Sequence, residues 1–109
     1  MNLKPRPKTE LSPFARKAAE AVAIQWFPLT VEEILGPGRH RWVAEARGAF
    51  CTILKAYHMP PRIIAGFTGR SISAVNYAIR ADRSLFETDM AHSKRVDSAM
   101  ERLAFLRIT

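Results

Sequence analysis

Residues 59–83 have the sequence MPPRIIAGFTGRSISAVNYAIRADR, and this stretch decides the fold class. The paired prolines break the preceding helix and start a short new one, because proline fits the first turn of a helix. Residues 66–69 then form a tight turn in which Gly69 is free to adopt a positive φ. A second helix, capped by a serine, runs to about Arg83. Two short helices joined by a glycine-containing turn predict a helix-turn-helix at about residues 60–83.

The second helix of this pair has two distinct faces. Ile72, Val75, Ala78 and Ile79 recur at three- and four-residue steps and are expected to face the core. The opposite face is small and polar near its start, so the helix can approach base edges in a DNA groove, with Arg70 just before it. Arginines there can reach phosphates. An ordinary helical hairpin with a solvated polar face is the alternative. The outer face comprises Ser73, Ala74, Asn76, Tyr77 and Arg80.

The rest of the chain is also expected to be helical, with no useful β-alternation. Residues 1–11 carry two prolines and three cations and predict a flexible basic arm, either a DNA contact or a solvated tail. Residues 12–109 form the folded domain. Ser12-Pro13 and a capping box from Thr30 to Glu33 mark two helix starts. The expected helices cover about residues 13–26, 31–35, 42–58, 61–65, 72–83 and 89–106.

Charge and cysteine content limit the classes of function. The 109 residues carry 17 Lys and Arg against 10 Asp and Glu, a net charge of +7, all of it within residues 1–83. Such a balance favours a polyanionic partner. The single cysteine, Cys51, is expected in the core and excludes an intramolecular disulfide. No apolar stretch approaches the roughly 20 residues of a spanning helix. A cytoplasmic protein that neither crosses nor binds a membrane is expected.

From about Ala18 onward, the chain resembles the C-terminal DNA-binding domain of the bacterial replication initiator DnaA. LTVEEILG at residues 29–36 resembles the start of that domain. The basic loop that carries Arg39, His40 and Arg41 is followed by Ala46-Arg47 and an apolar helix, and together they resemble the next segment of that domain. FTGRSISAVNYAIR at residues 67–80 resembles the family signature of phenylalanine, two glycines, arginine, aspartate, histidine, two hydroxyl residues and valine.

This resemblance implies roles for particular positions. Arg39 matches the arginine that enters the minor groove, and Arg41 matches a basic position beside the DNA backbone. Arg47 and Lys55 match the strongest candidates for phosphate contacts, and Pro61 matches a proline near the DNA. The base-reading positions correspond to Ser71, Ile72, Ser73 and Ala74.

The chain departs from the family at those base-reading positions. Ser71 and Ile72 replace aspartate and histidine, so two polar base contacts are altered or lost. Ile72 can offer an apolar contact to a thymine methyl group, or it can turn inward to the core. Tyr77 replaces a histidine and is either a new contact or a packing residue. We therefore expect DNA binding with a changed or relaxed sequence preference.

No pattern of catalytic residues accompanies these features. The sequence has no P-loop spacing, so the ATP-driven step of an initiator is not expected. His40, His58 and His92 lie far apart and are expected at the surface, so neither a metal nor another cofactor is expected. Glu32 and Glu33 are explained by helix capping rather than catalysis.

The predicted function is therefore that of a non-enzymatic protein that binds double-stranded DNA and regulates transcription, of bacterial or phage origin. One alternative is a replication modulator that occupies origin sites without ATPase activity. Another is a protein-interaction adaptor on the same scaffold. The last helix is expected to pack on the protein's own core, with self-association or RNA polymerase as alternative partners. Its apolar stripe comprises Val96, Ala99, Met100, Leu103 and Leu106.

Overall fold

The computed structural model describes residues 8–108, with side chains as far as Phe105. Within that range the chain forms six α-helices and no β-strand, which confirms the all-α class. The helices are α1 (Pro13–Gln25), α2 (Val31–Leu35), α3 (Arg41–Ala56), α4 (Pro61–Thr68), α5 (Ile72–Thr88) and α6 (Met90–Ile108).

Side-chain caps fix the starts of the first two helices. The Ala15 amide donates a hydrogen bond to Ser12 Oγ at 3.2 Å. The predicted capping box is present, because the Glu33 amide donates to Thr30 Oγ1 and the Thr30 amide donates to Glu33 Oε1, both at 3.1 Å. Such caps satisfy amides that a first helical turn leaves unpaired. The sequence therefore predicted α1 and α2 to within one or two residues.

The third helix is the centre of the fold, since α3 contacts each of the other five helices. Phe50 and Leu54 on α3 are fully buried. Gly48 permits the close approach of α5, because a Cβ atom there would lie 3.2 Å from the Ala78 carbonyl oxygen and 3.4 Å from Asp82 Cβ. α3 therefore acts as the platform that fixes the position of α5.

The α4–α5 pair differs from expectation in its boundaries. α4 continues to Thr68, so the connection shrinks to residues 69–71, and α5 continues to Thr88. Gly69 adopts φ 65°, as predicted. Val75 and Ile79 are buried as expected, while Ala78 is only half-buried. Ile72 is 48% exposed, because it opens the helix at the edge of the pair rather than under a neighbouring helix.

His92 corrects the expectation that all three histidines lie at the surface. Its side chain is 1% exposed, and its Nε2 lies 2.7 Å from Asp82 Oδ1, which is equally buried. The imidazole also meets the Trp26 ring edge-to-face, with centroids 5.4 Å apart. A polar partner on another helix allows the ring to enter the core. Since the two residues are ten positions apart on different helices, local spacing gave no sign of the pair.

The last helix packs on the protein's own core, as predicted. Val96, Ala99 and Leu103 are buried against α1 and α5, and Met100 packs against the same cluster. The side chain of Leu106 lies outside the described residues. Across the part of the chain that the structure describes, no helix has the length and apolarity needed to cross a membrane.

The end of the predicted basic arm packs against α4. The Thr9 amide donates a hydrogen bond of 2.8 Å to the Gly66 carbonyl oxygen. We call residues 8–11 the N-terminal strap. The remainder of the predicted arm, residues 1–7, lies outside the described residues.

Candidate nucleic-acid interface

The first turns of α5 present an exposed outer face. Ser71 caps the helix, because its Oγ accepts a hydrogen bond of 3.0 Å from the Ala74 amide. This cap occupies the Ser71 hydroxyl, so the base-reading role implied for it competes with a structural role. Ser73, Arg80 and Tyr77 are exposed, the last to 68%. Ala74 and Asn76 are half-buried. The outer face is therefore small at its start and carries an aromatic ring one turn later.

The basic loop, residues 36–40, is held in place from inside by Arg47. Arg47 Nε donates to the Ile34 carbonyl at 2.8 Å, and Nη2 donates to the carbonyls of Gly36 at 2.6 Å and Gly38 at 3.0 Å. The residue is 6% exposed. Burial, with the nearby charge of Arg70, lowers the pKa of Arg47 to about 10, so the group stays charged at neutral pH.

This placement changes the role of Arg47. The resemblance implies a phosphate contact, whereas the structure shows a buried guanidinium committed to three carbonyl oxygens. A planar guanidinium with several donors suits this task, since the carbonyls of a helix end and its loop need partners. Arg47 therefore fixes the loop through Nε and Nη2, and the phosphate contact that the resemblance implies stays a prediction.

Arg70 joins the basic loop to the start of α5. Its Nη2 donates to the Gly36 carbonyl at 3.2 Å, so Arg47 and Arg70 share that one acceptor. Gly36 precedes Arg39 by three residues, and Arg70 precedes Ile72 by two. One carbonyl oxygen thus brings the loop that carries Arg39 next to the first turn of α5.

A basic groove of about 320 Å³ lies at this junction. It brings together cationic side chains from the N-terminal strap, the basic loop and the α4–α5 connection. None of the described residues that line it is acidic. Its lining comprises Lys8, Gly36, Pro37, Arg39, Thr68, Gly69 and Arg70.

A second groove, of about 460 Å³, runs between α3 and α5 on the other side of Arg70. Arg41 and Tyr77 line it together with small side chains such as Ala74. Arg41 Nε also forms an exposed ion pair with Glu45 Oε1 at 3.2 Å, which lowers the charge available there. Arg70 lines both grooves, so the two grooves adjoin at this residue.

The predicted contact residues do not all meet on this surface. The predicted contact residues that line at least one of the two grooves are Arg39, Arg41, Arg47, Arg70, Ala74 and Tyr77. Lys55 is exposed in the last turn of α3, about 21 Å along the helix axis from Arg41.

Three other residues clarify the edges of the surface. Pro61 is half-buried at the first position of α4, which the prolines predicted. His40 Nδ1 accepts a hydrogen bond of 3.3 Å from the Trp42 amide and so caps α3. Lys8 lines the basic groove although sequence analysis named no residue of the arm. The positive charge of residues 1–11 was the sequence signal for a basic residue here, but the contact of the strap with α4 was not visible in the sequence.

Some buried titratable groups lie away from the two grooves, and the others line a groove but are shielded from solvent. Cys51 is 1% exposed, as expected for a core residue, and burial raises the pKa of its thiol to about 12. Among the described residues, no cluster of three His, Cys, Asp or Glu side chains is arranged to hold a metal ion. The surface therefore offers cations, hydroxyls and one aromatic ring, together with the half-buried Glu45 carboxylate that pairs with Arg41.

Comparison of the chain with protein-family models, curated proteins and solved structures gives no match. The functional assignment consequently depends on the residues and geometry described above.

Proposed function

We propose that the protein binds double-stranded DNA through the surface formed by the basic loop and the first turns of α5. The observation that carries this proposal is the shared Gly36 carbonyl, which places the Arg39 loop beside the start of α5. In this arrangement α5 enters the major groove, whose width of about 12 Å admits a helix. Arg39, exposed on its loop, reaches the adjacent minor groove.

The distribution of charge supports the same partner. Lys8, Arg39 and Arg70 line one groove, Arg41 lines the next, and Arg80 lies exposed on α5. Contacts to phosphates provide the sequence-independent part of DNA affinity, and cations on one face of a protein neutralise phosphates and release the counterions bound there. The acidic and basic residues of the last 26 positions balance, so the whole net charge of +7 lies in residues 1–83, the part of the chain that carries this surface.

Sequence preference would come from the exposed residues of α5. Ser73 is exposed and Asn76 half-buried, and both carry groups that can hydrogen-bond base edges. Ile72, at 48% exposure, offers an apolar contact. The resemblance to the DnaA DNA-binding domain points to the same segment. With no ATP-driven step expected, we propose a regulator that acts by occupying DNA, at promoters in the first instance.

The test is the salt dependence of affinity for duplex DNA, measured by fluorescence anisotropy. If about four or five cations each neutralise a phosphate, log K falls with log salt at a slope of about −4, or about 250-fold between roughly 50 and 200 mM. Arg39→Ala should weaken binding to all sequences, whereas Arg102→Ala on α6 should not. Selection from random duplexes should yield a motif that Asn76→Ala changes.

Two results separate the alternatives. Absence of salt-dependent affinity in the parent protein contradicts DNA binding and leaves the protein-interaction adaptor as the better hypothesis. A selected motif that occurs at replication origins rather than promoters favours the replication modulator over the transcriptional regulator.

A further inference from the structure

We infer that the basic groove holds one phosphate group of the DNA backbone, and that Lys8 of the N-terminal strap is one of its three cationic ligands. This inference deepens the proposed function and rests on it. It assigns a place on the DNA-binding surface to a segment that precedes the helical domain.

The strap is fixed on α4 by one close contact. The Thr9 amide donates to the Gly66 carbonyl at 2.8 Å, and a Cβ atom at position 66 would lie only 2.7 Å from Thr9 Oγ1. Glycine at position 66 is therefore what allows the strap to lie against the helix. Lys8 is the residue before this anchor, and it is one of the residues that line the basic groove.

The other two cations arrive from separate elements and are themselves positioned. The guanidinium of Arg70 is held by the Gly36 carbonyl, while its Nε is buried and has no hydrogen-bond partner among the described residues. Arg39 lies on the loop that Arg47 fixes. Three cations that line one groove repel each other, and a bound anion replaces that repulsion with charge-assisted hydrogen bonds.

The size and backbone of the groove also fit a phosphate group. Its volume of about 320 Å³ admits a phosphate together with several waters, each of which takes about 30 Å³. The lining includes Gly69, which has a left-handed φ of 65° and no side chain to occupy the groove. A phosphodiester of the DNA backbone presents two unesterified oxygens, each with more than one lone pair, so together they can accept charge-assisted hydrogen bonds from all three cations.

The first experiment compares Lys8→Ala with Lys94→Ala, a matched loss of one exposed lysine on α6. Duplex affinity is measured as a function of salt for both variants and the parent. We expect Lys8→Ala to reduce the magnitude of the salt slope by about 0.9 and to weaken binding about two- to fivefold, with the Lys94→Ala slope unchanged. Equal slopes for the two variants would overturn the inference.

The second experiment moves the strap without changing any charge. Gly66→Ala places a methyl carbon 2.7 Å from Thr9 Oγ1, so Thr9 must shift, while alanine favours the helix more than glycine does. We expect Gly66→Ala to weaken DNA binding as Lys8→Ala does, and the double variant to be no weaker than either one. Additive losses would contradict the placement of Lys8 by the strap. Circular dichroism checks that Gly66→Ala is folded. The comparison of Lys8→Ala with Lys94→Ala does not depend on Gly66→Ala.

A third experiment uses inorganic phosphate and needs no DNA. In two-dimensional NMR spectra at constant ionic strength, phosphate in place of chloride should shift the Gly69 and Arg70 amide signals of the parent, and less so those of Lys8→Ala. If the parent shows these shifts but no affinity for duplexes, the proposed function fails while the anion site stands. If the parent binds duplexes but neither the phosphate shifts nor the Lys8 effect appears, the inference fails while the proposed function stands.

Discussion

Replacing Arg47 with alanine removes three hydrogen bonds that hold the basic loop. The acceptors are the carbonyls of Ile34, Gly36 and Gly38, at 2.8, 2.6 and 3.0 Å. A hydrogen bond to a charged group contributes about 1.5–3 kcal/mol, and a buried acceptor left alone has its own desolvation cost. Water that enters the vacated space offsets part of the loss. We expect the free energy of unfolding to fall by about 3–4 kcal/mol.

The assay is urea denaturation of the parent, Arg47→Ala, Arg47→Lys and Arg102→Ala without DNA. Lysine keeps the charge but has no planar fork that can reach several carbonyls, so Arg47→Lys should recover less than half of the loss. Arg102 is exposed on α6, and its removal should change the unfolding free energy by less than about 0.5 kcal/mol.

A particular result refutes this account of Arg47. If Arg47→Ala lowers the unfolding free energy by less than about 1 kcal/mol and yet reduces the salt slope of DNA binding, the side chain contacts phosphate. The role implied by the sequence resemblance would then be correct, and the buried position would be wrong.

Two further predictions concern the core. Asp82→Ala leaves the buried His92 without its 2.7 Å partner and should lower the unfolding free energy by about 3 kcal/mol. The double variant, Asp82→Ala with His92→Ala, should lose less stability than the sum of the losses in the two single variants. Thermal denaturation measures all three variants. Because burial raises the pKa of the Cys51 thiol to about 12, the thiol should be almost entirely protonated at pH 8, so its labelling should follow the rate of unfolding. Rapid labelling of the folded protein would contradict that burial.

The parts of the fold that local chemistry controls were predictable from the sequence. Caps fixed the starts of α1 and α2, because their hydrogen bonds lie within one turn, and prolines fixed the start of α4, where no side-chain cap is present. The left-handed φ of Gly69 followed from the turn for the same reason. The length of α5 was not predictable in the same way. The helix continues beyond Arg83 to Thr88 because no stop signal there outweighs the stabilising contact with α6, and that contact between helices is not visible in the local sequence.

The candidate site was predictable only in outline. The charge of the arm, the loop and α5 indicated a basic surface, but spacing cannot show which cations turn inward. Arg47 and Arg70 meet at Gly36 although they are far apart in the chain, and Lys8 reaches the groove through a contact between Thr9 and Gly66. Long-range hydrogen bonds of this kind leave no periodic trace in a sequence.

The most direct test of the shared surface is a titration of isotope-labelled protein with a duplex that it binds, followed by two-dimensional NMR. We expect the amide signals of residues 36–41 and 69–77 to shift together, while those of residues 94–104 on α6 stay in place. Shifts confined to α6, or to only one of the two segments, would contradict the claim that the basic loop and the start of α5 form one DNA-binding surface.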